Sequence, residues 1–375
     1  MNRSRHPILW LAAGIALAVP AVAAARPEPV HCPAPATPPG AASPGGQLRV
    51  MFMGTSSLLF DDGATQILID GYFSRPSLLR AAIGRVRPNP DRIAEGMNSA
   101  GIGEGRLAAV FVAHAHVDHA LDAPSIAEAT GADLIGSPSV AKIAAGHGLP
   151  PCRIRTAEGT ERFAYRDFDV TVFSTPHSTP NVAKGGVRRP VPRRAWAQRY
   201  RAGSSHAYLI RHRDRHFLVY PSAAYVPGLL KDQRADVVFL GIAGLGRQRS
   251  DFVDAYWAQV VESVGARLVY PIHWDNLGKP LKEGLRPMPW PFDNVRRGWA
   301  RVARLACAHD VSLKELPLFT HVALPPLPPR RPRTAVPDGR PPATCPDVQA
   351  GPKPSSRLEG AVPRRRTREA SQPAS

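Results

Sequence analysis

The stretch VFVAHAHVDHALD, residues 110–122, places His114, His116, Asp118 and His119 within six positions. In an extended chain, residues two apart face the same way, so His114 and His116 can grip one metal ion. Asp118 and His119 turn with the chain toward a second position. Imidazole and carboxylate together suit a borderline cation such as zinc. The plain alternative is a chance cluster of solvated histidines.

Two histidines do not complete a metal site, so further ligands must come from elsewhere. VFSTPHSTP puts His177 just after an apolar run, and LVYPIHWDN puts His273 just after another. Either alone reads as an ordinary loop histidine. Both repeat the context of the cluster, an apolar strand followed at once by a ligand, which places all of them on one edge. His147, His206, His212, His216, His309 and His321 lack that context and read as structural or solvated.

The elements that must position these residues follow from periodicity. LRVMFMG, SSLLFDDG and QILIDGYF read as strands joined by hairpins, with an Asp62-Gly63 turn. RLAAVFVA, FDVTVFST, SHAYLIRH, RHFLVYPS, ADVVFLGI and ARLVYPIH read as further strands. Helices are expected near 90–99 and at SPSVAKIAAG, where Ser137 caps, Pro138 takes the first position and Gly146 ends the helix. A third is expected at 252–264, where Phe252, Val253, Tyr256, Trp257, Val260, Val261 and Val264 share one helical face. That aromatic stripe reads as core. Hairpins early and strands alternating with helices later suggest an α/β (α+β) fold with sheets between helices.

HAHVDH resembles the His-x-His-x-Asp-His signature of the metallo-beta-lactamase superfamily, and LLFDDGATQILIDG resembles its opening hairpin, with Asp70 behind the metals. STPHS, LVYPS and YPIHWDN follow in the family's order, so the resemblance covers about residues 48–275 and looks closest to the ascorbate-lactonase-like branch. It implies a single-domain αββα sandwich and a hydrolytic site of one or two zinc ions. It further implies that His114, His116 and His177 hold the first metal and Asp118, His119 and His273 the second. Most hydrolases of the superfamily have a bridging aspartate at the end of the strand RHFLVYPS. Here Pro221-Ser222 stands there, and neutral serine is a poor ligand, so a weaker second metal is expected.

The chemistry expected is metal-assisted hydrolysis of an ester, lactone or phosphodiester. Zinc lowers the pKa of its water and yields hydroxide, and Asp118 orients it and can take a proton. Asp70 is expected to fix a ligand imidazole, or simply to cap a strand end. Two other readings compete: a true metallo-beta-lactamase, which Ser222 allows, and a non-catalytic protein that binds metal or an anionic surface.

The chain has 375 residues and is 43% hydrophobic, enough for one large core. Its formal charge of +18 is uneven: residues 326–375 carry ten Arg/Lys against four acids, and residues 184–201 carry seven and no acid. The basicity therefore belongs to a tail and one internal segment, which argues against a general nucleic-acid surface. That segment follows His177, and Arg193, Arg194 and Trp196 are expected to rim the metals and bind an anionic small-molecule substrate.

Residues 1–25 read as a signal peptide: Arg3 and Arg5, then Ile8 to Val19, then the break at Pro20 and a site at Ala21-Val22-Ala23. A periplasmic or secreted protein with no stable membrane span after cleavage is expected. Residues 26–46 read as a Pro/Ala-rich linker, 47–325 as the hydrolase domain, and 326–375, with twelve prolines, as a disordered tail. Cys32, Cys152, Cys307 and Cys345 fit no zinc motif. Three pairings are open to them, including a Cys32–Cys345 clip, and so is an unpaired state.

Overall fold

A computed structural model describes residues 47–324, except 104 and 182, together with Gly351. The signal peptide, the linker, the tail and a Cys32–Cys345 clip lie outside these residues.

Two seven-stranded sheets stack face to face. The first contains β1 (Arg49–Phe52), β2 (Leu58–Asp61), β3 (Gln66–Ile69), β5 (Leu107–Phe111), β6 (Asp133–Gly136), β7 (Ile154–Thr156) and, against β1, β16 (His321–Ala323). The second contains β8 (Arg162–Tyr165), β9 (Phe168–Thr175), β11 (Ser205–His212), β12 (Arg215–Tyr220), β13 (Val237–Gly241), β14 (Leu268–Ile272) and β15 (Ser312–Leu313). A separate ribbon pairs β4 (Arg85–Val86) with β10 (Ala195–Trp196). The helices are α1 (Leu78–Ile83), α2 (Pro90–Ala100), α3 (Val117–Ala120), α4 (Ala123–Thr130), α5 (Pro138–Gly146), α6 (Ser250–Trp257) and α7 (Val295–Ala308). The architecture is the mixed α/β sandwich expected from the sequence.

Each sheet is half antiparallel and half parallel. β1, β2 and β3 form hairpins, and β3, β5, β6 and β7 then run parallel. In the second sheet β8, β9, β11 and β12 alternate, and β12, β13, β14 and β15 run parallel. Parallel strands buried on both faces should be apolar throughout, and VVFLG and LVYPI are buried at every position. The inner faces meet through aromatic rings. Phe60 of β2 packs edge-on to Phe239 at 5.4 Å, and Phe111 of β5 to Tyr208 at 5.4 Å.

The expected helix starts are present. Ser137 accepts a hydrogen bond from Val140 N, and Asn89 accepts one from Arg92 N. Gly146 is the last helical residue of α5, and His147 caps it. The helix expected at 252–264 is α6, which widens into a π turn over Ala258–Glu262 and keeps Val260 and Val261 buried. Cys152 and Cys307 are both disulfide-bonded, so the unpaired state left open by the sequence does not apply to them.

Candidate metal centre

Strand direction explains the site. β9 and β12 are each antiparallel to β11, so they run the same way, and β13 and β14 run parallel to β12. The carboxyl ends of β9, β12 and β14 therefore share one edge, and from it leave His177, Ser222 and His273. In the first sheet, Asp70 leaves the carboxyl end of β3 and His114 follows that of its parallel neighbour β5. The two edges coincide, and ligands from the two sheets face each other.

His114 Nε2 lies 3.1 Å from both His116 Nδ1 and His177 Nε2. The second triad has His119 Nε2 3.1 Å from His273 Nε2, and Asp118 Oδ2 3.3 Å from each. Ligand atoms around a tetrahedral zinc with Zn–N bonds of ~2.0–2.1 Å are about 3.3 Å apart, so both triads have the spacing a metal needs. The six ligands proposed from sequence thus converge in the two groups proposed.

The charge states differ. Burial holds His114 well below the ordinary imidazole value and lowers His116, and it brings His177 down to about 4. These three imidazoles are neutral at pH 7 and offer lone pairs to a cation. In the second triad, burial alone would lower His119, but the charges of Asp118 and Asp70 overcome it and raise it to about 10. Burial pushes Asp118 up, yet His119 and His273 outweigh it and hold the carboxyl well below its usual range.

Behind the ligands sits a supporting layer. Asp70 Oδ2 accepts from His119 Nδ1 at 2.8 Å, which leaves Nε2 to face the site. Ser56 Oγ donates to the same oxygen at 2.5 Å, and Ala113 N donates to Asp70 Oδ1 at 2.8 Å. Asp70 is therefore far more than a strand-end cap. His177 Nδ1 lies 2.6 Å from the Ser178 carbonyl, and His116 Nε2 lies 3.3 Å from that of Ala183. His114 Nδ1 is buried without such a partner. Asp70 and His273 both adopt left-handed backbone at φ 58°, which costs ~1–3 kcal/mol each. Hydrogen bonds to the Phe111 and Thr55 carbonyls hold their amides in place.

Ser56 and Arg75 were not singled out in the sequence, and Asp275 entered only as an acid that could bridge the metals in place of Ser222. Arg75 and Asp275 form a fully buried ion pair at 2.8 Å. Asp275 also accepts from Thr55 N, and Arg75 donates to Thr55 Oγ1 and to the Asn276 carbonyl. This pair fastens the loop after His273 to the segment after β3 and, through Thr55, to the loop after β1. Asp275 is thereby committed and does not join the ligands. Nothing in their sequence spacing, 200 residues apart, could have paired them.

The basic segment borders the ligands at both ends, where the Ala183 carbonyl lies 3.3 Å from His116 Nε2 and the Ala202 carbonyl accepts from Ala115 N. Arg193 donates to the His147 carbonyl at 2.9 Å and pairs with Glu128 at 2.6 Å. Trp196 lies under Arg85, with the guanidinium 5.0 Å from its ring centre. Arg194 lines a cleft beside α1 and the α2 start. Buried Val191, Ala195, Ala197 and Tyr200 anchor the middle of the segment along α5 and β4.

Several known proteins are similar to this chain. A UPF0173 metal-dependent hydrolase of Myxococcus xanthus is 27% identical over 180 residues, 48% of this chain and 57% of that protein. A UPF0173 protein of Pyrococcus furiosus is 28% identical over 138 residues, 37% and 53% respectively. The chain thus matches just over half the length of these relatives. Among solved structures, the metallo hydrolase Igni18 of Ignicoccus hospitalis aligns at 13% identity and a TM-score of 0.47, over 74% of this chain and 99% of that one. The model of the beta-lactamase superfamily domain matches residues 65–274, more than half of the chain and every ligand candidate. On that match the chain belongs to the beta-lactamase superfamily, in its metallo-beta-lactamase fold.

Proposed function

We propose that this protein is a zinc-dependent hydrolase of an ester, lactone or phosphodiester, with an anionic small molecule as substrate. The observation that carries the reading is the convergence of His114, His116 and His177 beside Asp118, His119 and His273 at one sheet edge. When bound there, zinc supplies a Lewis acid and lowers the pKa of a water toward neutrality. Asp118 belongs to the second triad and is ionised at neutral pH, so its carboxylate can orient that water. Asp70 and Ser56 keep His119 in one tautomer and orientation. The anionic preference draws on the seven cations of residues 184–201, of which only Arg193 has a carboxylate partner among the described residues.

We place the protein in the periplasm or outside the cell. The disulfide bonds at Cys152 and Cys307 support that, because such bonds persist in oxidising compartments. Among the described residues no helix is long and apolar enough to cross a membrane.

The test is metal analysis of the purified protein, with a panel of chromogenic esters, lactones, phosphodiesters and a cephalosporin. Bound zinc and turnover of one of the first three classes, both lost in His116→Ala, would support the proposal. Iron as the native metal would correct the cofactor, since imidazole and carboxylate suit iron too. Cephalosporin turnover alone would favour a beta-lactamase, and metal without any turnover would favour a binding protein.

A further inference from the structure

Between α1, the start of α2 and the β4–β10 ribbon lies a cleft of about 790 Å³. Arg75, Arg80, Arg85, Arg87, Arg92 and Arg194 line it, and no acid does. Arg75 is neutralised by Asp275. The other five have no carboxylate partner among the described residues. A cleft of this size is roughly one Debye length across, so their mutual repulsion is not screened away.

The ribbon sharpens this repulsion. Arg85 pairs with Trp196 and Val86 with Ala195, antiparallel. Arg87 and Arg194 each lie one residue beyond the Val86–Ala195 pair, at the same end of the ribbon, and both line the cleft. Like charges brought to one end of a ribbon repel. The cleft is also ordered. Arg92 is aimed by the carbonyls of Ser74 and Arg75 at 2.6 and 3.0 Å, and Arg85 is stacked on Trp196. Solvated surface arginines need no such fixing.

We propose that this cleft is an anion-binding site, separate from the metal ligands, for a ligand bearing two or more phosphate groups. One carboxylate would engage a single guanidinium fork. Five forks around one cleft call for several anionic oxygens, and planar guanidinium grips phosphate in two-pronged fashion. The back wall is Arg75, whose guanidinium reaches Thr55, and the Thr55 carbonyl accepts from His273 N. The site thus abuts the loop that holds a metal ligand.

The probe is tripolyphosphate, with phosphatidylcholine vesicles doped with phosphatidic acid as a second arm. Calorimetric titration should show that the native protein and His116→Ala bind tripolyphosphate equally. The triple variant Arg85→Ala/Arg87→Ala/Arg194→Ala should bind at least tenfold more weakly and with a flatter salt dependence. Tripolyphosphate should also raise the melting temperature of the native protein and not that of the triple variant, which separates lost binding from lost folding. Binding of tripolyphosphate alone identifies a soluble ligand, and binding of the vesicles identifies a headgroup. Loss of binding in His116→Ala with none lost in the triple variant would assign the anion to the metal centre and overturn the proposal. So would failure of the native protein to bind either probe. Because His116→Ala should lack hydrolysis yet keep this binding, the two readings fail independently.

Discussion

The triad of His114, His116 and His177 and the triad of Asp118, His119 and His273 have nearly the same spacing, about 3.1–3.3 Å between neighbouring ligand atoms. They differ in charge and in support. The first is three neutral imidazoles, one of which, His114, has no partner behind it. The second is a carboxylate with two imidazoles, and His119 is braced by Asp70 and Ser56 and carries a proton at neutral pH. The first is therefore ready for a cation as it stands. The second must lose a proton before it can bind one.

Removing a ligand from the ready triad should have the largest effect. His116→Ala is expected to abolish activity and most bound zinc, with little change in the circular dichroism spectrum. Full zinc content in that variant would sink the assignment of the first triad. Asp70→Asn should come next. Asparagine tolerates the left-handed backbone of that position, but an amide in place of Oδ2 cannot accept from both His119 and Ser56. Second-site affinity should fall about 10–100-fold, the usual cost of losing such a partner, and first-site affinity should not change. Equal losses at both sites would show that the triads are not separable.

The two triads should also respond differently to pH. His119 titrates at about 10 before metal binds, so below that value the second metal competes with one proton. Its apparent affinity should drop about tenfold for each unit that pH falls, the equivalent of ~1.4 kcal/mol. The first triad should resist until pH nears the value of about 4 at which His177 charges. Zinc titrations at pH 6, 7 and 8 would show this, and parallel slopes for the two sites would refute it. Ser222→Asp acts on the same contrast. Ser222 leaves β12 on the edge of His273, and a carboxylate there should raise occupancy of the weaker site by about tenfold, since affinity follows ligand charge. Two equally tight metals in the native protein would mean that serine is no handicap.

The ligands were legible in the sequence for a physical reason. A metal ligand at a buried strand end leaves an apolar run followed at once by histidine, and His114, His177 and His273 each show it. The hairpins β1–β3 were legible as short, mostly apolar runs with the Asp62-Gly63 turn between two of them. The supporting layer was not. Ser56 and Asp70 are joined by the register of β2 and β3, and Arg75 and Asp275 only by the meeting of two distant loops. α7 was also missed. Its buried Val295, Trp299, Val302 and Leu305 are interleaved with four arginines, which mask the apolar stripe. The path of the basic segment was hidden in the same way. A charge run announces its cations, whereas small buried residues such as Ala195 and Ala197 decide where it lies.

The smallest effect tests that last point. From the sequence alone, Arg193 and Arg194 were equivalent neighbours expected to bind substrate together. In the structure they part: Arg193 is spent on Glu128 and the His147 carbonyl, and Arg194 enters the arginine cleft. The Arg193–Glu128 pair has both side chains nearly half exposed, and such pairs contribute ~0–1 kcal/mol. Arg193→Ala should therefore leave KM and kcat within about twofold of native and lower the melting temperature by at most a few degrees. Arg194→Ala, made separately, should leave stability intact and weaken tripolyphosphate binding. A large rise in KM from Arg193→Ala alone would mean that the pair with Glu128 opens in use and that the segment swings toward the metals after all.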